Sequence, residues 1–180
     1  MGISAQEEMW LDVSPPEYAL ERDGISLVSI GKILQSLEGC ACAMGVLNCE
    51  FLRKLGLKSG EVAIVDMEAG AEHFGRGIGT SVDSMLVVVE PSLESVGLAV
   101  KTKSLAAGAA VNNTWAVLNK VTSEEIALRL KGELRKRGVA VIGLVHYDLE
   151  IFEACLEGCR LERGRTGHEI REVVGRLLLS

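Results

Sequence analysis

The sequence has few aromatic residues and no excess of positive charge. Phenylalanine, tyrosine and tryptophan make up 4% of the 180 residues, and the formal net charge at pH 7 is −6. Surfaces that bind nucleic acid need a basic face for the phosphates, and those that bind single strands also use aromatic rings for stacking. The composition therefore argues against a nucleic-acid-binding protein.

The sequence also lacks a membrane-spanning segment and a secretory leader. No apolar run approaches the ~18 residues of a membrane-spanning helix. The amino terminus has no charged region followed by an apolar one. We therefore expect a cytoplasmic protein that has no membrane partner.

The cysteine count is odd, which does not suit a framework of paired disulfides. The close spacing of these cysteines fits free thiols or metal ligands better. For Cys49 we expect packing, because free cysteine behaves as a small apolar residue. Cys155 and Cys159 have the helical spacing of four and could hold a metal, but Gly158 interrupts that helix. We favour packing for this pair as well, since residues four apart share a helix face without needing a ligand. The full set is Cys40, Cys42, Cys49, Cys155 and Cys159.

No segment reads Gly-x-x-x-x-Gly-Lys-Ser/Thr, the loop that surrounds the phosphates of ATP in P-loop enzymes. Gly31-Lys32 follows an apolar segment, but Ile33 stands where a magnesium-binding hydroxyl is needed. Phosphoryl transfer depends on that hydroxyl, the lysine and the loop amides. We therefore expect this chain alone to bind ATP weakly or not at all, and to hydrolyse none.

What the sequence does contain is an alternation of apolar runs and amphipathic segments. This pattern predicts the α/β class, with a mostly parallel sheet of about four or five strands flanked by helices. With 48% apolar content the chain is most simply one domain, 1–180, in which residues 1–22 form an extension or tether. The predicted strands are 24–30, 62–65, 85–89, 114–118 and 139–145, and the predicted helices are 46–55, 93–107, one after 122–125 and one after 166–169. We expect the strands that end at Asp66, Glu90 and Asn119 to be buried on both faces.

Short polar motifs predict where several helices begin. Ser92 is placed to cap the helix at 93–107. Thr122-Ser-Glu-Glu125 and Thr166-Gly-His-Glu169 both have the spacing of a capping box.

The stretch most typical of a ligand-binding loop follows the predicted strand at 62–65. Asp66 stands at the carboxyl end of that apolar run, and four glycines follow between residues 70 and 79. In open α/β sheets ligands bind outside the carboxyl ends of strands, and glycines let backbone amides approach a phosphate. A helix cap followed by an ordinary loop fits the same residues, so spacing alone leaves both interpretations open.

Gly39-Cys-Ala-Cys42 is a second motif with chemical meaning. Two thiolates one residue apart supply half of a tetrahedral Cys₄ site. A symmetric dimer would supply the other half by bringing the same pair from each subunit to its axis. The alternative is that Cys40 and Cys42 are small buried residues without a ligand.

Residues 66–77 read Asp-Met-Glu-Ala-Gly-Ala-Glu-His-Phe-Gly-Arg-Gly. This segment resembles the second switch of the MinD/nitrogenase-iron-protein (SIMIBI) class of dimeric P-loop ATPases. With the Cys-x-Cys pair before it, the sequence is similar to the CooC-type accessory ATPases that mature nickel carbon monoxide dehydrogenase. The resemblance covers about residues 23–161, equivalent to the C-terminal two-thirds of that fold, and leaves 162–180 as a terminal amphipathic helix.

The resemblance implies a nucleotide site in two parts, one at the γ-phosphate and one at the base. His146 departs from the family pattern, because proline is common at its position. The implied residues are Asp66 and Gly70 at the γ-phosphate, Asn119 and Lys120 at adenine, and Tyr147 and Asp148 against the base.

The resemblance also implies ATP with magnesium and a nickel or zinc ion bound by Cys40 and Cys42 across a homodimer. The implied function is part of an ATPase for nickel insertion into carbon monoxide dehydrogenase, with that enzyme or a P-loop-bearing chain as partner. Because the P-loop is lacking, the chain fits a fragment, a split protein or a degenerate paralogue. The alternative function is a non-catalytic metal-binding or dimerisation module.

Overall fold

The computed structural model describes residues 19–29, 49–67, 82–111, 113–161 and 164–179. The chain divides into two compact units, Met1–Val82 and Asp83–Ser180, and each is described by itself. The single-domain organisation stays a prediction.

The first unit contains an antiparallel hairpin of β1 (Ala19–Arg22) and β2 (Ile25–Val28). Asp23 and Gly24 join the strands with φ values of 55° and 76°. Two positive φ values and an Asp-Gly pair are typical of the type I′ turn, whose twist matches that of the strands. Residues 19–22, which we predicted to belong to an extension or tether, therefore form a strand, and the strand predicted at 24–30 pairs antiparallel.

Residues 61–67 of the first unit form no strand. Val62 and Ile64 are exposed, Ile64 by 88% of its surface. A strand buried on both faces needs neighbouring strands on both sides, and within the described ranges no strand pairs with this segment. The prediction of a buried strand at 62–65 is wrong. Residues 49–54 are helical, in agreement with the helix predicted at 46–55.

The second unit is built on a three-stranded parallel sheet in the order β3 (Ser84–Val89), β4 (Asn113–Val121), β5 (Ala140–His146). Helix α1 (Leu93–Gly108) connects β3 to β4, and α2 (Glu124–Lys136) connects β4 to β5. Helices α3 (Leu149–Glu157) and α4 (Arg165–Leu177) follow. The α/β class and the parallel sheet with flanking helices are confirmed.

Helices cover both faces of β4. On one face Ala116 and Leu118 pack with apolar residues of α1 and α2, such as Ala99 and Leu134. On the other face Val117 packs with Ile142, Val145 and Val173, the last of which lies on α4. Alternation of side chains along the strand thus supplies two separate apolar clusters.

The outer strand β3 is only partly covered, which corrects the prediction that it is buried on both faces. Val89 is fully buried, whereas Leu86 and Val88 are exposed. Because β3 lies at one end of the strand order, side chains that point away from α1 lack a covering layer among the described elements.

Two of the three predicted helix starts need correction. Ser92 caps α1 as predicted, since its Oγ accepts a hydrogen bond of 3.0 Å from the Ser95 amide. Helix α2 is capped by Ser123 rather than Thr122, and because the third residue after Ser123 is Ile126, the cap is a single serine and not a capping box. Helix α4 begins after Gly164, which makes no side-chain cap, and Thr166 lies inside the helix.

No helix in the described ranges is both long and apolar enough to cross a membrane.

Candidate functional site

Polar residues follow all three parallel strands at the edge where those strands end. Parallel strands bring their carboxyl ends to one edge, and open α/β sheets bind ligands there. Glu90 comes directly after β3, Asn119 and Lys120 lie near the end of β4, and Tyr147 comes directly after β5. The two segments predicted to recognise adenine therefore lie at the same edge.

β4 carries one extra residue beside β5 at this edge. Between the paired positions Leu118 and Val121, two residues of β4 lie opposite a single residue of β5. Such a bulge interrupts the regular alternation of side chains. As a result Val121 is buried in the same cluster as Leu118, while Lys120 is exposed and Asn119 is half-buried.

The bulge gives Lys120 an uncommon backbone conformation and a partner beside the neighbouring strand. Its φ is 54°, a region that residues other than glycine seldom adopt. Its Nζ lies 2.6 Å from Oε1 of Glu90, and both side chains are about half exposed. An exposed pair of this kind adds little stability. Its consequence is that the lysine amine lies near the end of β3.

Tyr147 is tied to β4 through its backbone. Its N–H donates a hydrogen bond of 2.9 Å to the carbonyl oxygen of Val121. The side chain is 45% exposed. The Tyr147 backbone is therefore held in place, while its aromatic ring is exposed enough to contact a planar ligand.

Asp148 caps helix α3. Its Oδ1 accepts a hydrogen bond of 3.0 Å from the Glu150 amide, and its Oδ2 accepts one of 2.9 Å from the Thr166 hydroxyl. Both carboxylate oxygens thus already have protein donors. Contact between Asp148 and a base stays a prediction. In the structure Asp148 caps helix α3 and connects it to Thr166.

Glu169 joins the end of β5 to helix α4. Its Oε2 accepts a hydrogen bond of 2.9 Å from the His146 amide, and its Oε1 lies 2.6 Å from Nδ1 of the same residue. Arg165 Nε donates to Oε1 at 2.9 Å. Arg165 Nη2 also lies 2.8 Å from His146 Nδ1. Because a carboxylate only accepts and a guanidinium only donates, these two neighbours of Nδ1 favour opposite tautomers of the ring. Nε2 lies 3.6 Å from Glu124 Oε1 on helix α2.

The surroundings of Glu169 favour its charged form. Burial raises the pKa of the carboxyl, but the hydrogen bonds from the His146 amide and ring and from Arg165 outweigh it, so the pKa lies below its ordinary value. The ionised carboxylate is therefore a stable part of this contact at neutral pH.

The remaining predicted site residues all belong to the first unit. Asp66 is an exposed residue outside any strand. Gly70, Cys40 and Cys42 lie outside the described residues, so their predicted roles stay predictions. Among the residues that the structure does describe, no three histidine, cysteine, aspartate or glutamate side chains group into a metal site.

The other cysteines divide into one buried and two exposed thiols. Cys49 is buried as expected, and burial raises the pKa of its thiol. Cys155 and Cys159 are exposed, which corrects the expectation that they pack. The reason is that α3 has no buried residue and ends at Gly158, whose φ of 69° closes the helix.

Thr166 and Glu169 are neighbours of the candidate site that were not predicted. In the sequence both fit a capping box, a local motif, whereas their partners lie 18 and 23 residues earlier in the chain. The one signal in the sequence was His146, which replaces a proline common in the resembled family and is the partner of Glu169.

No family model matches the sequence. An uncharacterised ATP-binding protein of Methanocaldococcus jannaschii is 42% identical over 167 residues, which are 93% of this chain and 65% of that protein. A second such protein of that organism is 42% identical over 72% of this chain and 51% of its own length. The carbon monoxide dehydrogenase accessory protein CooC of Rhodospirillum rubrum is 33% identical over 63% of this chain and 43% of its own length.

Among solved structures, the MinD cell division protein of Aquifex aeolicus has a TM-score of 0.48 and 17% identity over 56% of this chain and 46% of that one. The chain spans from about two-fifths to just under two-thirds of the curated relatives it matches. Over most of its own length it is therefore similar in sequence to proteins named ATP-binding and to a CooC accessory protein.

Proposed function

We propose that this chain carries the adenine-recognising part of an ATP-linked accessory protein for metalloenzyme maturation, with nickel insertion into carbon monoxide dehydrogenase as the process. The observation that carries the proposal is the joining of Asn119 and Tyr147 at one sheet edge, through the β4 bulge and the Tyr147 hydrogen bond to Val121. The similarity to proteins named ATP-binding and to CooC supports it.

The two residues offer complementary chemistry for a base. The Asn119 carboxamide has a donor and an acceptor, which match the paired acceptor and donor on one edge of adenine. The Tyr147 ring offers a flat apolar surface on which a base stacks. Lys120 lies beside them, paired with Glu90. Asp66 and Gly70 would contact the γ-phosphate only where a P-loop is supplied by another chain.

Replacing Asn119 with alanine is expected to weaken adenosine binding by about 3–10-fold, the worth of one or two hydrogen bonds. NMR titrations that follow the backbone amide chemical shifts with adenosine and with guanosine measure the two dissociation constants, which we expect in the millimolar range. Asn113→Ala is the matched control, because Asn113 is an exposed asparagine at the other end of the same strand. Equal affinities for the two nucleosides, or equal losses in both variants, would refute base recognition at this edge.

ATP should bind this chain within about 3-fold of adenosine, because the sequence has no P-loop to add phosphate contacts. Micromolar ATP affinity in the presence of magnesium would show that phosphate contacts do exist, with residues 75–80 as the first place to look. Adenosine tests the contacts to the base alone, and ATP tests the base contacts together with any phosphate contacts.

For the metal, we propose that Cys40 and Cys42 of two copies hold one nickel or zinc ion in a cytoplasmic homodimer. Binding and dimerisation then form one equilibrium. Cys40→Ser with Cys42→Ser should abolish metal-dependent dimerisation in sedimentation experiments with and without chelator. Cys155→Ser with Cys159→Ser is the matched control, since both thiols are exposed.

If the control pair rather than Cys40 and Cys42 abolishes dimerisation, the metal assignment is wrong. If metal joins two copies while neither nucleoside binds, the chain acts as a metal-binding module without a nucleotide function. We propose a P-loop-bearing chain or a nickel enzyme such as carbon monoxide dehydrogenase as the partner.

A further inference from the structure

One helix contacts both neighbours of Tyr147. From α4, the Thr166 hydroxyl donates to Asp148, the residue after Tyr147, at 2.9 Å. Also from α4, Glu169 accepts from the backbone amide of His146, the residue before it, at 2.9 Å. We call residues 146–148 the Tyr147 segment. Its two ends are thus fixed by side chains one turn apart on a single helix.

Both contacts are shielded from water. Thr166 is 5% exposed, and the Glu169 side chain is 14% exposed. Hydrogen bonds to a carboxylate are shorter and stronger than neutral ones, and each of these two has a carboxylate as acceptor. These two hydrogen bonds are therefore strong enough to limit the backbone motion of the Tyr147 segment.

Helix α4 is itself fixed to β5, so it can act as a rigid support. Val173 packs so closely on the strand that a Cβ added to Gly143 would lie 2.4 Å from its Cγ2. Arg176 Nη1 donates to the Ile142 carbonyl oxygen at 2.9 Å. These contacts extend along the strand away from the Tyr147 segment. The helix therefore cannot move with the segment without separating from the sheet.

We propose that Thr166 and Glu169 are positioning residues for base recognition, through which the terminal helix α4 holds Tyr147 at the angle in which its ring meets the base beside Asn119. This inference rests on the proposed function. Neither residue contacts the ligand. Their effect is to form the binding geometry in advance, which reduces the conformational entropy that binding would otherwise cost.

The test compares Thr166→Val with Thr166→Ser in the full chain. Valine has nearly the same shape without the hydroxyl, whereas serine keeps the hydroxyl. We expect Thr166→Val to speed hydrogen exchange of the Tyr147 amide by about 3–10-fold, because its bond to Val121 opens more often. Adenosine affinity should fall by a similar factor, and Thr166→Ser should restore both quantities.

Thr114→Val is the matched control, since Thr114 is a buried threonine near the start of β4. It should leave Tyr147 exchange and adenosine affinity unchanged, whichever way the melting temperature moves. A purely structural role of Thr166 would give the same pattern as this control, and that outcome would overturn the inference.

The two proposals fail in different ways. If the unaltered protein binds no adenosine, the proposed base site is wrong, and exchange of the Tyr147 amide still decides whether α4 fixes the segment. If adenosine binds equally well to the unaltered protein and to Thr166→Val, the positioning role is wrong and the base site stands.

Discussion

Replacing Gly143 with alanine should lower the free energy of unfolding by about 1–3 kcal/mol, the usual cost of overpacking a filled core. The new Cβ would lie 2.4 Å from Cγ2 of Val173, closer than carbon atoms approach without a shift. Val173 is 6% exposed, lies in a cluster with Val117 and Ile142, and has a stiff β-branched side chain. The Val173 side chain therefore has little space to adopt another rotamer. Denaturant unfolding measures the loss.

Adding Val173→Ala should recover much of that stability, because it removes the methyl group that clashes. The double variant should then be more stable than the two single losses predict when added. Gly97→Ala is the control, since a Cβ on this residue of α1 meets nothing within 4 Å and alanine favours the helix. A Gly143→Ala variant as stable as the unaltered chain would show that α4 does not press on β5.

Replacing Glu169 with alanine should cost about 1–3 kcal/mol of unfolding free energy, because the His146 amide loses its acceptor in a half-buried place. Glu169→Gln should cost less, since the amide oxygen still accepts that bond. Glu133→Gln is the control, because Glu133 pairs with Lys136 in solvent, where such pairs add little. Chemical denaturation of the three variants at neutral pH makes the comparison.

The pH dependence of this contact follows from the lowered pKa of Glu169. A carboxyl whose folded-state pKa lies below its unfolded value binds fewer protons when folded, so its stabilising effect is complete above the ordinary value of about 4.3. The effect is lost as the pH falls through the folded-state pKa. The difference in stability between the unaltered chain and Glu169→Gln should therefore shrink in that acidic range. A difference that stays constant down to pH 2 would contradict the assignment.

The parts of the fold that the sequence predicted correctly are those governed by neighbouring residues. Ser92 caps α1 because the cap needs only the next three residues. The strands near 114–118 and 139–145 were recognisable because their apolar runs are bounded by turn residues. The run at 62–65 is also apolar and rich in β-branched residues, yet it forms no strand, because an apolar run does not reveal whether partner strands exist.

The candidate site was predictable only in outline. The sequence and the family resemblance located Asn119 and Tyr147 at strand ends, but the bulge in β4 has no signal in the residues Asn119 and Lys120 themselves. The contacts of Thr166 and Glu169 could not be predicted, because a hydrogen bond between residues far apart in the chain leaves no periodic pattern in the sequence.

The central position of β4 also determines how ligand binding and folding are linked. Among the strands that the structure describes in this sheet, β4 alone has a partner on both sides, so its opening separates β3 from β5. A ligand that binds only the folded form stabilises it by RT ln(1 + [L]/Kd). Because Asn119 lies within this strand and not on a loop, a ligand bound there stabilises the cooperative unit as a whole. Ligand binding at Asn119 should thus raise the melting temperature of the entire sheet.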